Sequence, residues 1–405
     1  MQRTADDGGA RLPLEGLRVL DLATMVAAPF CAAILGEFGA EVIKVEMPGR
    51  GDPLRNFGPR SGTGASFNWL SEARNKKSVT LDLRTPDGLA VARELVARSD
   101  IVAENFRPGT LASWGLGYED MRAIREDIIL VSVSAYGQTG PYRNRPGYAR
   151  IAHGFSGLSH LTGDPDGPPA VPGASALADY ISGVYAAVGA LLALAGRDRL
   201  GRGQQVDVSL YEGIFRMLDD LAPVYAKSGD IRGRLGPDST SAVPHSNYRT
   251  REGRWVALAC SNDKMFERLT QAMQRPDLLE PYARVEARLA HRGQVNGIVA
   301  DWVGGLSLEE VTALCEAHAV PLGPILTIAD IFADPHVAER GNLARLDAPG
   351  EGEVTVPGVV PRLCGTPGRL RSLGPRLGEH NEDVYCGLLG MAPARLAELR
   401  RAGVV

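Results

Sequence analysis

Asp179 heads a run dense in alanine, leucine and valine that extends to Ala195. An acid at the start of a helical run can serve two ends. Its oxygens can cap the first unpaired N–H groups, the commoner role for aspartate there. It can also be held ionised beside the positive end of the helix dipole, the state an attacking carboxylate needs. Upstream, Arg150 and His153 are three apart and share a face if their segment is helical. They read either as a surface arginine with a satisfied histidine, or as a cation and a hydrogen-bond donor for an anionic ligand. His160, His245, His291, His318, His336 and His380 show no metal-ligand spacing. Cys31, Cys260, Cys315, Cys364 and Cys386 contain no C-x-x-C pair, so no zinc module is expected, and the odd, dispersed set fits reduced thiols in a cytoplasmic protein.

These residues need a frame, and the first 140 residues supply one. Short runs rich in branched apolar residues, Leu17–Leu22, Glu41–Glu46, Ser78–Leu83, Ile101–Phe106 and Ile128–Ser134, read as strands. Several are separated by helical patterns: Pro29 suits a first turn before Phe38, and Thr85-Pro86 is an N-cap and N1 pair for a helix to Arg98. That alternation predicts βαβ units and a parallel sheet. A ligand then belongs at the carboxyl ends of the strands: Asp21–Val26, Glu46–Met47, Leu81–Arg84, Asn105–Arg107 and Ser134–Gly137. The first strand runs into Ala23-Thr24-Met25-Val26-Ala27-Ala28 without G-x-G-x-x-G, and no Walker A sequence occurs. The ligand is therefore expected to be neither NAD nor a nucleoside triphosphate held in the standard way.

The chain has 405 residues, long enough for two or three domains. The texture divides it into 1–224, a large domain; 225–328, a smaller α+β domain that opens on a polar linker and holds a strand at Arg254–Ala259; and 329–405, a segment returning to the large domain. With 44 Lys and Arg against 48 Asp and Glu, the net charge of −4 argues against nucleic acid or an anionic membrane as partner. Met1–Ala10 carries Asp6 and Asp7 and no apolar run, so it does not read as a signal peptide. The longest apolar stretch, Gly183–Gly196, is shorter than the roughly 20 residues a bilayer requires.

Eight segments in order extend the reading. They are PLEGLRVLD at 13–21, GAEVIKVE at 39–46, NKKSVTLDL at 75–83, ENFRPG at 104–109, YGQTGP at 136–141, Ala178-Asp179, GRGQQVDVSL at 201–210 and LGEHN at 377–381. Together the chain resembles the class III CoA-transferases, the group of formyl-CoA transferase, carnitine CoA-transferase and 2-methylacyl-CoA racemase. The stretch YRNRPGYARIAHG at 142–154 is similar to the succinyl-CoA:dicarboxylate branch, which uses malate or citramalate.

The resemblance implies Asp179 as nucleophile, passing through a mixed anhydride and an aspartyl-CoA thioester. It implies CoA contacts from Val26, Ala27, Leu81, Asp82, Leu83, Arg84, Asn105, Phe106, Arg107, Gly147 and Tyr148, with Arg84 and Arg107 as phosphate cations. Arg150 and His153 would receive the distal carboxylate or hydroxyl of a C4–C5 diacid. No permanent cofactor and no metal is implied; CoA thioesters are substrates. The resemblance further implies an interlocked homodimer, or pairing with a related second chain.

Two departures qualify these expectations. Met47 and Ser113 stand where the formyl-CoA branch carries arginine, and that branch's poly-glycine loop is absent; Ser261-Asn262-Asp263 occupies the comparable part of the small domain. Arg74, Lys76 and Lys77 read equally as a solvated loop or as phosphate cations. Racemases of the group place a histidine where this chain has Tyr148, since moving a proton between two faces needs two acid–base groups; His153, five residues on, points elsewhere if the segment is helical. That favours transferase over racemase. A silent CoA-binding subunit and a nicotinamide oxidoreductase are the competing classes; retention of Asp179 opposes the first and the missing phosphate fingerprint the second.

Overall fold

The computed structural model describes residues 11–173 and 176–405; the expectation for Met1–Ala10 lies outside them. Six parallel strands form the main sheet: β1 (Arg18–Asp21), β2 (Glu41–Glu46), β3 (Lys76–Thr80), β4 (Ile101–Glu104), β5 (Ile129–Ser134) and β6 (Gln205–Ser209). Their spatial order is β3-β2-β1-β4-β5-β6. The direction of winding reverses between β1 and β4, which opens a crevice at their carboxyl ends. Val19 pairs with Val42 on one side and Ile101 on the other. Both sheet faces are covered, which is why the central strands β1, β4 and β5 are buried nearly end to end rather than in alternation. Leu20, Ile43, Val79 and Val102 pack into one layer; Val19, Val42, Ile101 and Val131 pack into the other.

The chain divides into two compact units. The first holds residues up to Leu158, Pro172–Ala226 and Ala338–Val405, and so contains the whole parallel sheet. The second holds Ser159–Val171 and Lys227–Val337. Ser159–Val171 thus lies outside the expected 225–328 segment, and the return to the first unit comes at Ala338. Within the second unit, the Arg234 guanidinium reaches the carbonyl oxygen of Asp164 at 3.0 Å, and Arg254 pairs with Asp330 at 2.9 Å. These contacts carry the unit beyond its expected limits at both ends.

In the second unit β7 (His245–Arg249), β8 (Trp255–Ala259) and β9 (Leu322–Pro324) form an antiparallel sheet over a core that includes Phe266, Leu269, Val299 and Val311. Ser261-Asn262-Asp263 is a helix start there: the Asn262 side chain accepts the Met265 N–H at 2.9 Å, and Asp263 pairs with the buried Arg288 at 3.0 Å. In the first unit, β10 (Leu343–Ala348) and β11 (Gly352–Pro357) make an antiparallel pair.

The run begun by Asp179 is part of a 24-residue helix, Leu177–Leu200. It is long and apolar enough to cross a membrane by length and composition, which corrects the expectation drawn from the 14-residue run. Its small residues, Ala178, Ser182, Gly183, Ala186 and Ala190, are buried, while Val184, Val188, Leu191 and Leu192 are exposed.

Candidate active site

The small-residue face of the long helix lies against a second helix, Ala27–Glu37, whose Ala27, Ala28, Cys31 and Ala32 are also buried. At Gly183 a Cβ would fall 2.6 Å from the Ala27 carbonyl oxygen and 3.0 Å from the Phe30 ring. Only glycine permits this approach. The approach holds the first turn of the long helix, with Asp179, close to Val26 and Ala27 at the end of the loop that leaves β1.

That loop is fixed from below by buried charges. The parallel register sets Asp21 beside Lys44 and Lys44 beside Ser78. Lys44 Nζ pairs with Asp52 at 2.9 Å and Asp21 at 3.6 Å, and also donates to the Ala23 carbonyl. Lys76 Nζ pairs with Asp21 at 2.8 Å and donates to the Pro29 carbonyl at 2.6 Å. Glu46 accepts from Arg55 at 2.7 Å and from the Asp52 N–H at 2.8 Å. Asp52 in turn accepts the N–H of Met25, a residue in the left-handed region at φ 65°, at 3.0 Å. Burial works against the Lys44 charge, but Asp21, Asp52 and Glu46 together hold its pKa above the ordinary value. Lys76 is therefore neither a solvated residue nor a phosphate cation. Arg74 is likewise buried and donates to the Pro357 carbonyl at 2.6 Å, while Lys77 pairs with Glu41 at 2.8 Å.

Above this lattice the strand ends enclose a cavity of about 660 Å³. Val26, Ala27, Asn105, Phe106, Arg107, Gly147, Tyr148, Arg150 and Asp179 all line it, so most of the expected set comes together. Leu81, Leu83 and Arg84 line a smaller cavity of about 110 Å³ instead; Phe106 and Thr24 border both. Asp82 lines neither: it accepts from Arg84 Nη2 at 2.8 Å and fixes that guanidinium, which lies 3.6 Å from the Met47 sulfur. Asn105 borders the larger cavity, but its amide is committed to the Thr24 backbone, accepting the N–H at 2.8 Å and donating to the carbonyl at 2.7 Å. Its role there is to strap the β1 and β4 loops together.

His153 is not brought to either cavity. The Ala149–Phe155 segment is helical, but its His153 is fully buried and accepts the backbone N–H of Ala178 through Nε2 at 3.0 Å. With Nε2 so occupied and the ring buried, only Arg150 of that pair faces the cavity.

Ser134, at the expected strand end Ser134–Gly137, also lines the large cavity, as do Arg143 and Arg145, which the sequence does not single out. The arginines fall within the 142–154 stretch that carries the branch resemblance, which was the available signal. Arg145 stacks on Tyr142 at 3.7 Å, and Phe155 meets Tyr136 and Tyr211 edge-on at 5.1 and 4.8 Å. Gly147 lets the loop close down: a Cβ there would sit 2.8 Å from that of Ala135. Ser134, at the end of β5, is buried with an unpartnered Oγ.

Among the described residues Asp179 is the only carboxylate lining the large cavity, facing Arg107, Arg143, Arg145 and Arg150 on the same lining. It is not the helix cap; Ala176 holds that position and offers no side-chain oxygen, while Asp179 lies in the first turn. The helix dipole favours its charge by about 0.3–1 kcal/mol. Burial opposes it and wins, raising the pKa from 3.8 to about 6. A half-buried carboxylate that is ionised at neutral pH, yet costly to keep so, is suited to nucleophilic attack.

The family model of CoA-transferase family III matches residues 14–381. The chain is similar to the alpha and beta subunits of the succinyl-CoA–L-malate CoA-transferase of Chloroflexus aurantiacus. It is 49% identical to the alpha subunit over 405 residues, 99% of this chain and 95% of that one. To the beta subunit it is 50% identical over 398 residues, covering 97% and 98%. A succinyl-CoA–D-citramalate CoA-transferase of the same organism is 41% identical over 395 residues, covering 97% and 98%. Among solved structures, a CAIB/BAIF family protein from Brucella suis superposes with a TM-score of 0.83 at 33% identity, over 94% of this chain and all of that one.

Proposed function

We propose, from the premise that this chain belongs to CoA-transferase family III, that it moves CoA from succinyl-CoA to a C4–C5 dicarboxylate such as malate or citramalate, with Asp179 as nucleophile. The observation that carries the reading is that, among the described residues, Asp179 is the one carboxylate in a cavity lined by four arginines. The ionised Asp179 attacks the thioester carbonyl; the C–S bond breaks, giving a mixed anhydride and CoA thiolate. The thiolate then attacks the aspartyl carbonyl of the anhydride, succinate leaves, and Asp179 carries CoA as a thioester. The acceptor carboxylate attacks that carbonyl and releases CoA thiolate, leaving a second anhydride. Attack of the thiolate on the acceptor's acyl carbon yields the new acyl-CoA and restores Asp179. Each intermediate keeps the free energy of the thioester, provided water is held off.

Arg107 and Arg84 are assigned to CoA phosphates, with Val26, Ala27, Phe106, Gly147 and Tyr148 as walls, and Arg150 to the second carboxylate of the acceptor. Tyr148 at the racemase histidine position supports transfer over racemisation. The five free cysteines support a reducing, cytoplasmic setting. The test is direct. Purified chain incubated with succinyl-CoA and L-malate or citramalate should form the acceptor's CoA ester. Hydroxylamine or borohydride added with donor alone should mark Asp179 in peptide mass maps. Absence of any adduct at Asp179 under turnover conditions refutes the assignment.

A second reading follows from the near-equal similarity to an alpha and a beta subunit: the working enzyme pairs this chain with a related one. Turnover by the purified single chain decides against it; inactivity restored by adding the related chain decides for it.

A further inference from the structure

We infer that His153 is a positioning residue for Asp179, capping through Nε2 the buried N–H of Ala178 and so fixing the turn that presents the carboxylate. This rests on the reading of Asp179 as nucleophile. The first four N–H groups of any α-helix lack partners within it. In the Leu177–Leu200 helix the cap position is Ala176, whose side chain has no acceptor to offer. The acceptor comes instead from a different helix, 25 residues upstream, at 3.0 Å.

Only a neutral imidazole can accept at Nε2, so the proton must sit on Nδ1. That Nδ1 is buried without a partner among the described residues. Burial, with Arg150 adding to it, holds the His153 pKa below the usual range, in keeping with a ring that stays neutral. The bond also joins the two walls of the cavity. His153 lies in the same short helix as Arg150, and Ala178 adjoins Asp179 in sequence. Side chains of Ala149 and Ala152 pack in the same apolar layer as Ala178. One hydrogen bond therefore registers the segment bearing a cavity cation against the segment bearing the carboxylate.

Atom counting gives the discriminating variants. His Nε2 lies four bonds from Cα, as does Gln Oε1; Asn Oδ1 lies only three. His153→Gln can restore the acceptor, whereas His153→Asn and His153→Leu cannot. With succinyl-CoA as donor, His153→Leu and His153→Asn should lose about 10–100-fold in kcat, the scale of a displaced reacting group, with KM for succinyl-CoA within about twofold of the original. His153→Gln should retain kcat within about threefold. Hydrogen exchange read by mass spectrometry in a peptide spanning 176–183 should quicken in the Leu and Asn variants and not in the Gln variant.

Equal kcat in the Gln and Asn variants overturns the proposal, as does unchanged exchange in His153→Leu. If His153→Leu does not fold, the contrast of Gln with Asn still decides. Asp179→Ala, assayed in parallel, separates the two claims. An inactive Asp179→Ala beside a fully active His153→Leu sinks only the positioning role. A fully active Asp179→Ala sinks the nucleophile reading and this inference with it.

Discussion

Gly183 lies one helical turn after Asp179, and its Cα faces the Ala27 carbonyl so closely that a Cβ would stand 2.6 Å from that oxygen. The position of the Asp179 carboxylate is thus set by backbone against backbone. Replacing Gly183 by Ala gains helix propensity worth up to about 1 kcal/mol, but the clash with a main-chain atom forces the helices apart. The net effect should be a loss of about 1–3 kcal/mol in urea unfolding. Because Asp179 moves with the helix, kcat for CoA transfer should fall by about tenfold or more as well.

Asp179 should govern the acid limb of activity. With its pKa raised to about 6 by burial, kcat/KM for succinyl-CoA should fall below about pH 6 rather than near pH 4. Asp179→Asn should remove turnover by several orders of magnitude, since an amide forms no anhydride, while CoA binding measured by calorimetry persists.

The same residue should lower stability. Its folded pKa lies above its unfolded value, so the folded state binds the proton more tightly between 3.8 and about 6, and stability falls as pH rises through that window. Above pH 6 the full penalty applies. Asp179→Asn should accordingly be more stable than the original protein by about 1–3 kcal/mol at pH 7.5, with the gain shrinking toward pH 4. Denaturant titrations at two pH values provide the check, and an unchanged difference would contradict the burial account.

Acceptor choice should turn on Arg150. A dicarboxylate brings a second charge into a site that already holds an anionic Asp179, which needs a cation nearby. Arg150→Ala should lower kcat/KM for malate or citramalate mainly through KM, by about 1.5–3 kcal/mol, the scale of a charged hydrogen bond. Butyrate should be affected far less. Equal losses for both acceptors would move the dicarboxylate grip to Arg143 or Arg145.

Lys44 offers a purely structural test. Lys44→Met leaves Asp52 facing no cation and Asp21 with Lys76 alone. Breaking a buried pair in this way costs about 3–5 kcal/mol, which thermal or urea unfolding should register.

The strands were legible because β-branched runs such as Glu41–Glu46 and Ile128–Ser134 can only be buried in a two-sided sheet. The sequence starts β3 two residues late because Lys76 and Lys77 read as loop charges, whereas Lys76 is buried against Asp21 from 55 residues away. Nothing local signals such a partner. Asp179 was visible through its setting, but its place within the first turn depended on a helix that starts at Leu177. The role of His153 is not legible because spacing shows which residues share a face and not what that face meets; its partner is a main-chain N–H, which sequence does not mark. Arg143 and Arg145 sit in a Pro- and Gly-containing loop, whose course periodicity cannot trace.

The ion lattice beneath the β1 loop has a kinetic corollary. Asp21, Asp52, Lys44 and Lys76 are each at most 3% exposed and close to neutral as a group, so dissolved ions neither reach nor screen them. Arg107, Arg143, Arg145 and Arg150 are open to solvent, where screening acts over about 8 Å at physiological ionic strength. Rising salt should therefore slow the capture of a polyanionic thioester while leaving the turnover of a captured one nearly untouched. The molecule keeps its electrostatics in two compartments, one that attracts and responds to its medium, and one that holds the loop leaving β1 and does not.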